Sequence, residues 1–326
     1  MPRIYLLRHL EGPARNTPWL MRGLWRFEAG VLQALWQATR RLSPDRASDL
    51  GERVGRALGP RQPKHRHVLR NFEIAFPDRP RRWLEETAAA MWGQVGRTVA
   101  EYPHLRTICH DLDQRRIEVI DEGGIAAVRA SGRPAIFASA HLANWNLSPV
   151  AADRHGIPLS VVYSAQHNAE VEGLIAPHRA EIGAGFILAE DAGRQMIAEL
   201  RQGRSIGLLL DQRFDGGEDL PFFGVPTPTA IAPARLAVKL GIPFVPARVE
   251  RLEGARFRIT VGEPINADPT VEDSREAARR MPLELNRLFE DWIRAAPEQW
   301  LCAKRRWPKD AVPLAASERA TAPLAA

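Results

Sequence analysis

The sequence predicts an α/β fold, in which a mostly parallel central sheet is flanked by helices. From about residue 135 onward, short apolar runs alternate with segments of helical periodicity. Strands that alternate with helices form βαβ units, whose strands lie parallel in one sheet. The chain has 326 residues and is 45% hydrophobic, so it is long enough to bury one large core or two small ones.

Five apolar runs are predicted to be strands of this sheet, and the segments between them are predicted to be helices. A longer helix is predicted over residues 80–101, after a region at 44–82 whose Arg, Pro and Gly content favours short helices and turns. A closing helix is predicted at about 275–296. The predicted strands are 135–140, 159–164, 206–211, 244–250 and 257–261, and the helices between them lie at about 145–155, 168–183, 192–203 and 229–241.

Residues 18–42 have the pattern of an amphipathic and basic helix. Apolar residues recur at spacings of three and four from Leu20 to Leu35. Residues 1–42 hold seven arginines and two glutamates, a net charge of +5 in a chain whose formal total is +6. Tryptophan and arginine on a sided helix are typical of the headgroup layer of a bilayer. The pattern predicts a membrane-associating helix, and packing of the helix on its own domain is the alternative.

Composition and patterning exclude several other classes of protein. The two cysteines, Cys109 and Cys302, provide neither a disulfide framework nor a zinc-ligand spacing. We expect no transmembrane helix and no signal peptide, because charged residues interrupt every long apolar stretch. The positive charge lies on the amphipathic segment and not in a nucleic-acid-binding module, so no nucleic-acid partner is predicted.

A histidine at the end of one predicted strand is the first candidate for chemistry. The apolar strand at 135–140 is followed at once by His141, before the next predicted helix. Ligands of open α/β sheets bind at the carboxyl ends of the strands, and a histidine there is suited to act as a general base near neutral pH. A lone histidine in such a place is more often structural, so the residues around His141 have to decide between a structural and a catalytic role.

The residues around His141 resemble the motif of the late acyltransferases of lipid A biosynthesis, the lauroyl and myristoyl transferases of the lysophospholipid acyltransferase superfamily. The superfamily carries His-x-x-x-x-Asp/Glu, and the lipid A branch usually has His-Phe/Leu-Gly/Ala-Asn-Trp-Glu. This chain matches it from His141 to Trp145, and the similarity spans roughly residues 50–308. The other motifs that carry the resemblance are Val68-x-x-Asn71, Ala75-Phe76-Pro77, Trp92, Gly96-Arg97, Glu101-Tyr102-Pro103-His104-Leu105, Asp211-Gln212, Pro221-Phe222-Phe223-Gly224, Pro246-Ala247-Arg248-Val249-Glu250, Pro297-Glu298-Gln299-Trp300-Leu301 and Arg305-Arg306-Trp307.

The resemblance implies an O-acyltransferase. In that family a fatty acyl chain moves from acyl carrier protein, which holds it as a thioester, to a hydroxyl of a lipid A precursor at the cytoplasmic face of the inner membrane. The family histidine, here His141, removes the hydroxyl proton, and neither a metal nor a cofactor is needed. The expected organisation is a membrane-associating segment at 1–45, an acyltransferase domain at 46–310 and a disordered tail at 311–326.

Two positions of the implied site depart from the family pattern. The fifth residue after His141 is Asn146 where the family has an acid, and we expect its amide oxygen to orient the imidazole without stabilising the positive form. After the next strand the lipid A enzymes usually have Tyr-Arg, whereas this chain has Tyr163-Ser164, which lacks the charge that would stabilise an oxyanion. These changes motivate two alternatives: a catalytically impaired paralogue that binds lipid or acyl carrier protein, and an enzyme with another glycolipid acceptor.

Several matched residues are open to two interpretations. Asp211 ends a strand at the expected active edge, where it either replaces the missing acid or caps a turn. Phe222 and Phe223 either line an acyl channel or pack in the core. Lys304, Arg305 and Arg306 either bind phosphates of the acceptor or of the carrier protein, or end a solvated basic helix. The residues predicted to contact substrate are Asn144, Trp145, Tyr163, Ser164, Asp211, Gln212, Phe222, Phe223, Arg305 and Arg306.

Overall fold

A computed structural model describes residues 16–110, 116–267, 270–271 and 274–313, together with Gly12 and Ala14. Most of the expected tail at 311–326 lies outside the described residues. Nine strands are found in the described part: β1 Ile117–Asp121, β2 Ile136–Ser139, β3 Leu159–Tyr163, β4 Gly185–Leu188, β5 Ser205–Leu209, β6 Glu218–Phe222, β7 Val225–Thr229, β8 Phe244–Arg251 and β9 Phe257–Val261.

Seven of these strands form one central sheet, in the order β1-β9-β8-β2-β5-β3-β4. All neighbouring pairs in it are parallel except β8 and β9, which are antiparallel. Strands β6 and β7 form a separate antiparallel hairpin. The predicted α/β fold with a mostly parallel sheet is therefore confirmed.

The helices cover the sheet and build the N-terminal part of the chain. Both faces of the sheet are buried: in β2, Ile136 and Ala138 belong to one hydrophobic cluster and Phe137 to another. The described helices are α1 Pro18–Thr39, α2 Pro44–Leu58, α3 His65–Ala75, α4 Arg81–Glu101, α5 Leu105–Cys109, α6 Gly124–Ser131, α7 Pro149–Arg154, α8 Ala169–Arg179, α9 Ala192–Arg201, α10 Ala232–Leu240 and α11 Ser274–Ala295.

Helix α1 lies where the sequence pattern predicts a helix. Its residue Trp36 packs on Tyr102 and His178, and Met21 and Leu24 are buried in a small cluster with Ala14. Other large apolar residues of α1 stay exposed, with Trp19 at 72% and Phe27 at 52% relative exposure. Within the described residues, α1 thus packs on the domain through Trp36 and leaves several apolar side chains uncovered.

Helices α2 and α4 approach each other closely because glycines line their contact. Gly51 and Gly55 of α2 lie against the backbone of Gly96 and Trp92 in α4. A Cβ atom added at Gly96 would overlap the carbonyl oxygen of Gly51, and one added at Gly55 would overlap that of Trp92. The two backbones therefore have no space for a side chain between them.

We expect Gly96→Ala to lower the free energy of unfolding by about 2–3 kcal/mol, because overpacking forces the two backbones apart. Gly30→Ala is the matched control, since Gly30 lies on α1 with no atom within 4 Å of the added methyl. That change should be neutral or stabilising, because alanine favours helix. Urea denaturation of both variants measures the difference, and equal stability of the two would contradict the close approach.

Candidate active site

The register of the sheet brings His141 and Asp211 together. Strands β2 and β5 are parallel neighbours, with Ser139 opposite Leu209. His141 and Asp211 each follow two residues after this registered pair, at the same carboxyl edge of the sheet. Because parallel strands keep a constant offset, the two side chains leave the edge side by side.

His141 and Asp211 form a hydrogen-bonded dyad. The distance from His141 Nδ1 to Asp211 Oδ1 is 2.6 Å, and Trp300 Nε1 donates to Asp211 Oδ2 over 3.0 Å. Asp211 is buried, and burial by itself would raise its pKa. The charge of His141 and the hydrogen bonds from His141 and Trp300 outweigh this and hold the pKa of Asp211 below its ordinary value. Asp211 is therefore a carboxylate when it faces the imidazole.

The carboxylate fixes the tautomer of His141. An ionised Asp211 can only accept, so Nδ1 carries the proton and Nε2 has a free lone pair. The side-chain amide nitrogen of Gln212 lies 3.2 Å from Nε2 and 3.4 Å from Nδ1, so Gln212 is close to both ring nitrogens. The ring of Trp145 packs beside the imidazole at a centroid distance of 5.4 Å. This arrangement presents a lone pair that can take a proton from a bound hydroxyl.

Backbone hydrogen bonds hold the loop that carries His141. The amide of Leu301 donates to the carbonyl of His141 over 2.8 Å, and the amide of Ala143 donates to the carbonyl of Gln299 over 2.9 Å. Ala143 has a φ of +49°, which is a left-handed conformation that non-glycine residues seldom adopt. The C-terminal segment at 299–301 therefore imposes the conformation of this loop.

A buried ion pair supports the same loop from below. Glu101 is fully buried and bonds the guanidinium of Arg251, which is itself 7% exposed. Asn144 donates to Glu101 Oε2 over 2.9 Å, and Asn146 donates to Asn144 Oδ1 over 3.0 Å. Ser48 adds a hydrogen bond of 2.6 Å to Glu101 Oε1. The pair thus connects helices α2 and α4 and strand β8 to the residues that follow His141.

Comparisons with known proteins show the family of this chain. A family model described as bacterial lipid A biosynthesis acyltransferase matches residues 17–309. The chain belongs to this family. It is similar to a phosphatidylinositol mannoside acyltransferase of Mycobacterium tuberculosis, with 26% identity over 298 residues, which cover 88% of this chain and 89% of the relative. It is also similar to a lipid A biosynthesis acyltransferase of Haemophilus influenzae, with 22% identity over 268 residues, 79% of this chain and 81% of the relative.

The protein is thus an acyltransferase, and its structure corrects the expected role of Asn146. The sequence predicts that the Asn146 amide orients His141, but the structure places Asp211 at that nitrogen. The Asn146 side chain instead accepts a hydrogen bond from the Tyr102 hydroxyl over 3.3 Å and donates to Asn144. The reason is the register of β2 and β5, which places the Asp211 carboxylate next to Nδ1 of the imidazole.

Two other residues predicted to contact substrate are buried and form hydrogen bonds within the acyltransferase instead. Asn144 is fully buried and bonded to Glu101, so the structure gives it a positioning role in place of a substrate contact. Arg306 is 2% exposed, and its guanidinium bonds Thr227, Pro228 and Thr229 in the β6–β7 hairpin. A buried side chain bonded in this way is not accessible to a substrate phosphate.

Phe222 and Phe223 pack in the core and do not line an open channel. Both are fully buried, and their rings lie within 5.1 Å of each other. Trp307 and Trp300 pack on Phe222 at 5.6 and 6.0 Å, and Trp300 is the residue that also bonds Asp211. The structure therefore supports the core interpretation of this pair, in a cluster that backs the dyad.

The edge beyond β3 holds a cation that the sequence pattern does not indicate. Ser164 is exposed, and the guanidinium of Arg179 from α8 lies 4.5 Å above the ring of Tyr163. Arg179 also pairs with Glu172 and bonds the Tyr102 hydroxyl, whose pKa is raised by burial although Arg179 opposes the rise. Only the tertiary structure brings α8 over β3, so no spacing in the sequence points to Arg179.

A small cavity adjoins the dyad on the side of the C-terminal segment. It has a volume of about 10 Å³ and is lined by Asp211, Gln212, Trp300 and the basic residues at 304–306.

Among the described residues, no group of three His, Cys, Asp or Glu side chains is placed to hold a metal ion. In that same part of the chain, no helix is both long and apolar enough to cross a bilayer.

Proposed function

We propose that this acyltransferase moves a fatty acyl chain from acyl carrier protein to a hydroxyl of a lipid A precursor or a related glycolipid. The observation that carries the proposal is the His141–Asp211 dyad at the carboxyl edge of the sheet. A base with this geometry suits transfer to a hydroxyl, and the family supplies the substrate class. The proposed place of the reaction is the cytoplasmic face of the inner membrane.

The chemistry follows from the tautomer of His141. Nε2 takes the proton of the acceptor hydroxyl while the oxygen attacks the thioester carbonyl, which forms a tetrahedral intermediate. The carbon–sulfur bond then breaks, and the imidazolium returns its proton to the leaving thiolate. Asp211 stabilises the imidazolium between these steps. The oxygen ester and the free thiol of the carrier are the products.

The dyad also disfavours the alternative of an impaired paralogue. That alternative arises because position 146 lacks the family acid. In this structure Asp211 supplies the carboxylate, so the absence of an acid at Asn146 leaves the base with a partner. The substitution at Asn146 is therefore compatible with an active enzyme.

Acyl transfer by the purified protein in detergent tests the proposal. The donors are acyl carrier proteins loaded with chains of different length, and the acceptors are a tetra-acyl lipid A precursor and a phosphatidylinositol mannoside. We expect transfer by the wild type and none by His141→Ala. Folded wild-type protein that acylates neither acceptor with any donor would refute the proposed function.

Contact with the membrane is proposed for the exposed face of α1. Trp19, Phe27, Val31 and Leu35 are 41–72% exposed, and the last three follow one another at intervals of four residues. On the same helix Trp36 stacks on Tyr102, which bonds Asn146. A bilayer that covers the exposed face would therefore lie close to the edge of the active site.

We expect the triple variant Trp19→Ser, Phe27→Ser, Leu35→Ser to bind vesicles of phosphatidylethanolamine and phosphatidylglycerol at least about 10-fold more weakly. Burial of each such side chain in the bilayer contributes roughly 1–3 kcal/mol to the free energy of binding, so the loss of three of them exceeds what a 10-fold change in affinity requires. Leu252→Ser is the control, because Leu252 is 47% exposed beside β8 and far from α1 in the chain. Sedimentation with vesicles measures the binding, and equal binding by the triple variant and the control would contradict this role of α1.

A further inference from the structure

We propose that Arg66, Lys304 and Arg305 form a subsite for a phosphate group of a substrate, beside the catalytic dyad. The proposal rests on the proposed function, because it assigns a binding site to one of the two substrates of that reaction. It keeps Lys304 and Arg305 from the sequence expectation, leaves out the buried Arg306 and adds Arg66.

Asn71 fixes the geometry of this subsite. Its amide nitrogen donates to the carbonyls of Cys302 and Lys304, each over 2.7 Å, and its amide oxygen accepts from the backbone of Arg306 over 3.1 Å. Asn71 is fully buried on α3. These three bonds attach α3 to the C-terminal segment that carries Lys304 and Arg305, and Arg66 lies on the first turn of the same short helix.

The same C-terminal segment borders the dyad. The backbone of Leu301 bonds His141, and Trp300 bonds Asp211. Lys304 follows three residues after Leu301, so their Cα atoms are at most about 11 Å apart. Lys304 and Arg305 also line the small cavity that Asp211 and Gln212 line. An acceptor hydroxyl at His141 and a phosphate at Lys304 therefore fit within one substrate molecule.

The cations at this place lack an anionic partner inside the protein. Within the described residues, no carboxylate forms an ion pair with Arg66, Lys304 or Arg305. By contrast Arg70, one turn further along α3, pairs with Glu73 at 3.3 Å. Burial lowers the pKa of His67 on α3, and the positive charges of Arg305 and of the nearby residues Arg66 and Lys64 lower it further, which is consistent with a position of Arg305 near the first turn of α3.

A cluster of like charges is costly unless an anion neutralises it. A phosphate is the anion that best fits this set, because guanidinium groups bind its oxygens in a fork and an ammonium adds a point charge. The neighbouring Arg306 is buried and bonds the β6–β7 hairpin, so it is not part of the subsite. The phosphate comes either from the acceptor lipid or from the phosphopantetheine arm of the donor.

The test uses the double variant Lys304→Gln, Arg305→Gln and the single variant Arg66→Gln in the full chain. The matched control is Arg133→Gln, Lys239→Gln, which removes the same charges at the opposite edge of the sheet, where β2 and β8 begin. Acyl transfer in detergent is measured with a phosphorylated acceptor, with the same acceptor after dephosphorylation, and with varied donor.

We expect the KM for one phosphate-bearing substrate to rise about 10-fold or more in the double variant, with kcat nearly unchanged. If the acceptor phosphate occupies the subsite, the rise disappears with dephosphorylated acceptor. If the donor phosphate occupies it, the KM for the donor rises with both acceptors. The proposal is overturned if neither KM changes, or if only binding to anionic vesicles falls, which would mean that the cations contact bulk membrane.

A second measurement separates this proposal from the proposed function. His141→Ala removes the base but leaves the cations in place, so the phosphorylated acceptor and the acyl carrier protein should both be tested for binding to it without turnover. The comparison is between His141→Ala and the triple variant His141→Ala, Lys304→Gln, Arg305→Gln. If either ligand binds His141→Ala more tightly than it binds the triple variant, the subsite is supported even if no transfer is found. Equal binding of both ligands to these two proteins overturns it.

Discussion

Asp211→Asn is expected to lower kcat by about 10³–10⁴, the loss typical of a triad aspartate changed to asparagine. An asparagine at this position can turn its NH₂ group towards the imidazole. His141 then keeps its proton on Nε2, which is the atom that has to accept the proton of the substrate. The measurement is kcat for acyl transfer with saturating donor and acceptor.

Asn146→Ala is the control that separates the two candidates for the partner of His141. Because Asn146 bonds Tyr102 and Asn144 and not the imidazole, we expect a loss of less than about 10-fold in this variant. A loss as large as that of Asp211→Asn would show that Asn146, and not Asp211, orients the base. Comparable circular dichroism spectra would exclude misfolding as the reason in either case.

The ionisation of Asp211 has a consequence for stability. Its pKa in the folded protein is held below the ordinary value, so its interactions contribute stability above pH 4 that is lost as the pH falls through the folded pKa. We expect the difference in free energy of unfolding between wild type and Asp211→Asn to shrink as the pH is lowered from about 6 to 3. A difference independent of pH would mean that folding does not shift the pKa of Asp211, and a difference that grows as the pH falls would mean that folding raises it.

The sequence predicts the strands that bury apolar residues on both faces, because a continuous apolar run identifies them. Strand β1 alternates acids with apolar residues, and β4 has only four residues beside glycines, so neither forms such a run. The hairpin β6–β7 contains Pro221, Pro226 and Pro228, which indicate a loop in the sequence but are tolerated in a two-stranded hairpin with free edges.

The candidate base His141 is indicated by a motif in the sequence, whereas its partner Asp211 has two interpretations there: it either replaces the missing acid or caps a turn. His141 stands in a motif of consecutive residues, whereas Asp211 follows 70 residues later and meets it only through the register of β2 and β5. The motif position that should hold the acid is occupied by Asn146, which directs the prediction to the wrong residue. The sequence likewise does not indicate the ion pair between Glu101 and Arg251, since 150 residues separate the two.

Glu101→Gln is expected to lower the free energy of unfolding by about 3–5 kcal/mol, because it leaves Arg251 as an uncompensated buried charge. Glu101 is completely buried, and Arg251 has no other carboxylate within the described residues. Chemical denaturation measures the loss. Glu86→Gln is the control, since Glu86 pairs with Arg82 on the exposed surface of α4, where solvent screens the ion pair and its loss should change the stability far less.

The same substitution should affect catalysis through the loop that carries His141. Asn144 donates to Glu101, so an uncharged partner weakens the bond that holds the residues after His141. We expect kcat to fall while the KM for donor and acceptor changes little, at a temperature where the variant is still folded. If Glu101→Gln is destabilised but retains full kcat, the ion pair stabilises the fold without positioning the base. If the additional change Arg251→Met restores stability but not kcat, the bond from Asn144 to the carboxylate is what catalysis requires.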